Sequence, residues 1–142
     1  MTHPAFRHDY KVFYPIITRW MDNDIYGHIN NVTYYSYFDS AVNRYLIEEA
    51  GLDIQHASVV AYVVSSNCQY CAPIAYPEKI SVGIRVNKLG NRSVCYGVSI
   101  FKEDNNEAAA YGEFTHVFVD RSNNESTEIP SQIRNSLKRL QC

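Results

Sequence analysis

Long apolar runs are missing from this sequence. Nothing in its 142 residues approaches the ~20 consecutive apolar positions that a membrane-spanning helix needs, so no membrane association is expected. The amino-terminal stretch MTHPAFRHDYK lacks an apolar signal core, which argues against a secretory route. A surplus of charge is missing too. Thirteen Lys and Arg face fifteen Asp and Glu, and that balance offers no broad basic surface to nucleic acid. Cysteine is sparse, with four residues at 68, 71, 95 and 142. Cys68 and Cys71 form a lone CxxC with no further ligands nearby at zinc-site spacing. The segment reads as strand, where positions i and i+3 point to opposite faces, so small reduced side chains and no metal are expected. The expected location is cytoplasmic. The G-x-S-x-G elbow of serine hydrolases, the P-loop and the dinucleotide glycine pattern are all absent.

The length fits one domain, 1–142, with enough chain to bury a core without disulfide or metal staples. Residues 10–20, YKVFYPIITRW, are rich in aromatic and β-branched side chains and read as a strand. Pro15 places that strand at a sheet edge or at a bulge. A helix of about twenty residues follows, ending at Gly51, with Val32, Tyr35, Phe38, Ala41 or Val42, and Tyr45 along its apolar face. Residues 58–70 form a mostly apolar strand. Ile80, Val82, Ile84 and Val86 alternate with polar or small residues, as do Val94, Tyr96, Val98 and Ile100, and 108–119 reads as a last strand. The segment 120–130 is polar and reads as mobile, and SQIRNSLKRLQ as a short helix presenting Ile133, Leu137 and Leu140. This order predicts an α+β fold: antiparallel strands, joined mostly by hairpins, covered on one face by the long helix. The other sheet face is expected to keep apolar residues that want a partner, which favours a homo-oligomer.

The densest polar chemistry lies between the first strand and the long helix, in DNDIYGHINN, residues 22–31. Asp22 reads as a turn or cap residue, and Asn30 and Asn31 as caps for the helix. Asp24 read alone is equally a cap. A second polar cluster, Lys88, Asn91, Arg92 and Ser93, surrounds a tight turn; it suits either the phosphates of a polyanion or plain solvation.

The motif TRWMDNDIYGHINNVTYYSYFDSA, residues 18–41, resembles the D-x-D-x-x-G-H-x-N-N signature of hotdog-fold thioesterases of the 4-hydroxybenzoyl-CoA thioesterase type. CAPIAYPEKISVGIRVNKLGNRSVCYGVSIF, residues 71–101, continues the likeness more weakly. The resemblance implies a sheet of about five strands around one long helix, with a short carboxy-terminal helix. It implies a homodimer, or a tetramer built from dimers, that hydrolyses an acyl-CoA or acyl carrier protein thioester. No cofactor is implied beyond the coenzyme A of the substrate. Asp24 becomes the catalytic carboxylate, as nucleophile or general base, because a thiolate leaves without strong acid assistance. The N–H near Asn31 at the helix start becomes the oxyanion donor. Gly27 admits the substrate close to the backbone, and His28 either holds the loop or moves a proton. Ser66, Asn67 and Gln69 are weaker candidates for an acyl site shared with a partner subunit. Asp39, on the helix, is a rival carboxylate, because another branch of these enzymes places its acid there. The tyrosines at 34, 35, 37 and 45 read as core and interface. A non-catalytic acyl-CoA binding protein and a hotdog dehydratase are the alternatives; fold alone does not choose among them.

Overall fold

A computed structural model describes residues 5–141; the first four residues of the amino-terminal stretch and Cys142 lie outside them. The elements are β1 (Val12–Ile16), α1 (Thr33–Glu48), β2 (Val59–Ser66), β3 (Gln69–Tyr70), β4 (Ile80–Leu89), β5 (Ser93–Lys102), β6 (Ala110–Asp120), β7 (Glu125–Ser126) and α2 (Ser131–Lys138). The main sheet runs β1-β4-β5-β6-β2 with every pairing antiparallel, and β3 and β7 both add to β6. Five main strands curl around α1, with α2 closing the core, which is the hotdog arrangement. No helix among the described residues is long and apolar enough to cross a membrane.

The alternation in β4 and β5 is realised in register. Val82 faces Ile100, Ile84 faces Val98 and Val86 faces Tyr96, all buried beneath α1. Pro15 sits on edge strand β1 opposite Ser81, where a missing N–H costs the ladder least. α1 is short of strong helix formers: TYYSYFDSAVNRY is mostly aromatic, β-branched or small polar. Packing therefore holds it, because each fully buried Phe, Val or Leu contributes about 1.5–3 kcal/mol.

Several expectations change. α1 has 16 residues, and its buried stripe is Tyr34, Tyr37, Phe38, Ala41, Val42, Tyr45 and Leu46. Val32 precedes the helix and is exposed, and Tyr35 is half-buried; Phe38, Ala41, Val42 and Tyr45 are buried as expected, and Tyr34, Tyr37 and Leu46 complete the stripe. Of the 10–20 stretch expected as strand, only Val12–Ile16 is strand; 17–19 are irregular and a 3-10 turn runs over Trp20–Asp22. β2 forms no hairpin with β4. It crosses to the far edge and pairs with β6. The 120–130 segment is held: β7 pairs with β6, and the Ile129 N–H donates to the Asn91 carbonyl at 3.0 Å.

The face away from α1 is also less apolar than expected. Ser81, Arg85, Asn87, Cys95 and Glu113 fall on it, linked by Arg85–Asn87 and Asn87–Glu113 hydrogen bonds of 2.9 and 3.1 Å. Tyr10 and Phe101 cover part of it as a small second cluster. Phe13 is partly exposed on this face, but most of the large exposed apolar side chains lie elsewhere, among them Tyr62, Val63 and Val64 on β2, and Ile17, Trp20, Met21, Ile25 and Tyr26 in and beside the polar junction.

Candidate functional site

The junction between β1 and α1 is anchored by the one large apolar side chain of residues 22–31 that is buried. Ile29 is buried, and its N–H donates to the Ile74 carbonyl at 2.7 Å. Around that anchor the two aspartates separate. The Asp22 side chain turns inward and is almost completely buried. It accepts from the Tyr37 hydroxyl at 2.6 Å, from the Arg19 N–H at 2.9 Å and from Arg19 Nε at 3.1 Å. Burial alone raises its carboxyl, but the bonds from Tyr37 and Arg19 outweigh it and the net shift is downward. Its carbonyl also receives the Asn30 N–H at 2.9 Å. Asp22 thus ties the loop to α1.

Asp24 is half-buried and caps a turn. Oδ1 accepts the Tyr26 N–H at 2.9 Å, and the Asp24 N–H donates to the His28 carbonyl at 2.9 Å. Gly27 closes this turn with φ +83°, a conformation that disfavours any side chain, and no atom of the described chain lies within 4 Å of where its Cβ would be. Oδ2 receives only a long 3.5 Å contact from Asn30 Nδ2, so this oxygen keeps capacity for another proton donor.

Val32, not Asn30 or Asn31, holds the cap position of α1, without a side-chain cap bond. The expected capping is therefore not realised, and Asn30 instead shapes the turn just before the helix. Its Oδ1 accepts the Val32 N–H at 3.0 Å, its carbonyl accepts the Thr33 N–H at 2.9 Å, and its Nδ2 faces Asp24. The N–H groups of Asn30, Val32 and Thr33 are therefore all used. Between them, the Asn31 N–H has no acceptor among the described residues. A half-buried carboxylate and a spare backbone donor at a helix start are thus presented by one short loop.

Tyr70 has no counterpart in the sequence reading. It sits 39 positions from Asn31, and its hydroxyl donates to the Asn31 carbonyl at 2.9 Å. Its ring meets buried Tyr34 edge-on, with centroids 4.9 Å apart. No local sequence signal reveals this contact, because it depends on β3 pairing with β6. Tyr37 and Tyr45 are core residues as expected, but both hydroxyls also bond, to Asp22 and to the Ser136 carbonyl.

The remaining predicted residues are spread out. His28 is exposed and joins the loop through its carbonyl. Asn67 leads from β2 towards β3, with its Oδ1 accepting the Glu113 N–H at 3.2 Å, while Ser66 ends β2 opposite Phe114. Asp39 is exposed on α1 and bonded to Asn43 at 3.0 Å. Lys88, Asn91, Arg92 and Ser93 are not brought to Asp24 within the chain: they lie at the far end of ten-residue β4, whose length is about 30 Å. There Arg92 donates to the carbonyl and hydroxyl of Ser126. A cleft of about 860 Å³ opens beside the junction between Ile17, Thr18, Tyr76, Lys79 and Glu103, and none of the predicted site residues lines it. The half-buried Cys68 thiol is pushed up by burial to about 11, which keeps it protonated and unreactive near neutral pH.

Comparison with known proteins agrees with the fold. The chain is 53% identical to the PA5185 protein of Pseudomonas aeruginosa strain PAO1, whose crystal structure superposes with a TM-score of 0.96 over 98% of this chain and 97% of that one. The gentisyl-coenzyme A thioesterase BH1999 shares the fold at 20% identity, with a TM-score of 0.79 over 89% of this chain and 99% of that one. A curated relative, the uncharacterized protein YsmA of Bacillus subtilis, is 21% identical over 94 residues, which span 66% of this chain and 63% of its own length. The family model of the thioesterase-like superfamily matches residues 18–137, from the last residues before the polar junction to α2, and the chain belongs to that superfamily.

Proposed function

We propose that this protein hydrolyses an acyl-coenzyme A thioester, with Asp24 as nucleophile or general base and the Asn31 N–H as oxyanion donor. The observation that carries this reading is the pairing, in one loop, of a half-buried carboxylate with an open oxygen and a spare N–H at the start of α1. Superfamily membership supports the reaction class. Either the carboxylate attacks the thioester carbon, forming an anhydride that water then cleaves, or it takes the proton of an attacking water. In both cases the C–S bond breaks, the acyl group leaves as an acid and sulfur leaves as thiolate. The negative charge that builds on the carbonyl oxygen is met by the Asn31 N–H and the positive end of the helix dipole.

A second copy of the chain belongs to this reading. Among the described residues the outer edge of β2 has no strand partner and is apolar, and only another subunit can bring a Lys88–Ser93 turn near Asp24 for the phosphates of coenzyme A. Release of free thiol from a panel of aliphatic and aromatic acyl-CoA and acyl carrier protein thioesters tests the function. Turnover of at least one of them is expected. Tight coenzyme A binding without thiol release would assign the chain to non-catalytic binding instead, and hydration of an enoyl thioester to a dehydratase.

A further inference from the structure

The spare N–H at Asn31 is useful only if its direction is fixed. The peptide preceding it is fixed by the Asn30 N–H bonded to the Asp22 carbonyl. The peptide following it, between Asn31 and Val32, is held at both ends. Its N–H donates to Asn30 Oδ1 at 3.0 Å, and its carbonyl accepts the Tyr70 hydroxyl at 2.9 Å. Among the described residues, the only other donor to that carbonyl is the Tyr34 N–H, at a long 3.4 Å. Among the described residues, Tyr70 is therefore the one hydrogen-bond partner of this peptide from outside the loop and α1.

Tyr70 is built to hold that position. β3 pairs it with Ala110 on β6, and its ring is fixed edge-on against buried Tyr34. Partial burial, followed by neighbouring Cys68 and Tyr35, raises its phenol, so the hydroxyl remains a donor across the neutral range. The residue is still 46% exposed, so it stands at the open side of the helix start and not in the core.

We infer that Tyr70 is a positioning residue for thioester hydrolysis: by clamping the Asn31 carbonyl from β3, it aims the Asn31 N–H at the oxygen of the reacting carbonyl. This rests on the function proposed above. Tyr70→Phe tests it, because it removes the hydroxyl and keeps the ring against Tyr34. With the thioester that the unaltered chain turns over best, kcat should fall about 10-fold, the loss of roughly one hydrogen bond's effect on the transition state. KM should stay within about twofold, since the clamp acts on charge that develops only during reaction. The melting temperature should barely move, and amide exchange at Val32 should quicken. A folded Tyr70→Phe protein with unchanged kcat overturns the inference while leaving the thioesterase reading intact. A rise in KM with kcat unchanged overturns it too, by making Tyr70 a substrate contact. An unaltered chain that releases no thiol from any thioester overturns the functional reading itself, and this inference with it.

Discussion

Asp22 and Asp24 stand one residue apart and meet opposite environments. Asp22 is buried and saturated with donors, whereas Asp24 is half-buried with an oxygen to spare. In the sequence both are polar residues of a turn. What separates them is Tyr37, fifteen positions on, whose hydroxyl claims the first. A paired substitution reads the difference. Asp24→Asn should cut thiol release by roughly 10²–10⁴-fold. The same variant should cost about 1 kcal/mol of stability or less. Asp22→Asn should do the reverse in kind, costing about 2 kcal/mol through weakened buried bonds to Tyr37 and Arg19. Its pH signature follows from the sign of the shift. The folded carboxyl lies below its ordinary value of 3.8, so its stabilisation is fully present above that value and is lost as pH falls through and below it. Melting temperatures at pH 7 and pH 3 check this: the gap between Asp22→Asn and the unaltered chain should narrow in acid. A folded Asp24→Asn protein with near-normal turnover would remove Asp24 from the chemistry, and a larger loss in Asp39→Asn would move the acid to α1.

At the level of elements, local patterns were legible and long-range ones were not. The alternation of β4 and β5, the edge position of Pro15 and the stripe of α2 all follow from neighbours in sequence. The partner of β2 does not: its choice of β6 over β4 is a matter of sheet order, and the short polar pair Asn67–Cys68 that separates β2 from β3 gave no sign of its use. There the chain leans on Gly112 so closely that a Cβ would fall 1.9 Å from the Asn67 carbonyl oxygen and 2.8 Å from its carbon. These are backbone atoms and cannot rotate away. Gly112→Ala should therefore push β3 outward, cost about 1–3 kcal/mol, and carry Tyr70 away from Asn31. The expected result is a lower melting temperature together with reduced turnover in the fraction that is folded. An alanine variant with unchanged melting temperature and activity would show that the crossing yields at no cost.

For the whole molecule, the apolar surface expected on the open sheet face is instead largely on the β2 edge and around the junction. The open face carries the Arg85, Asn87 and Glu113 network, while Tyr62, Val63 and Val64 are 47%, 45% and 59% exposed beside a strand edge that has no partner among the described residues. A bulge between Val63 and Ser65 turns Val64 out of the ladder. Natural edges are usually blunted by charge, and residues 59–66, VVAYVVSS, carry none. Such an edge suits antiparallel pairing with the same strand of a second copy, which would bury these side chains about a two-fold axis. A net charge of −2 offers little repulsion against it. We therefore expect a dimer in sedimentation at micromolar concentration. Replacing Val63 and Val64 together by lysine should shift it to monomer, because two like charges would meet their copies across the axis. Turnover should fall with the dimer if the coenzyme A phosphates are held by the partner's Lys88–Ser93 turn, even though Asp24 and Tyr70 remain in place in each chain. An unaltered chain that sediments as a fully active monomer would defeat this reading, and a lysine variant that stays dimeric would place the contact on the junction residues Ile17, Trp20, Ile25 and Tyr26 instead.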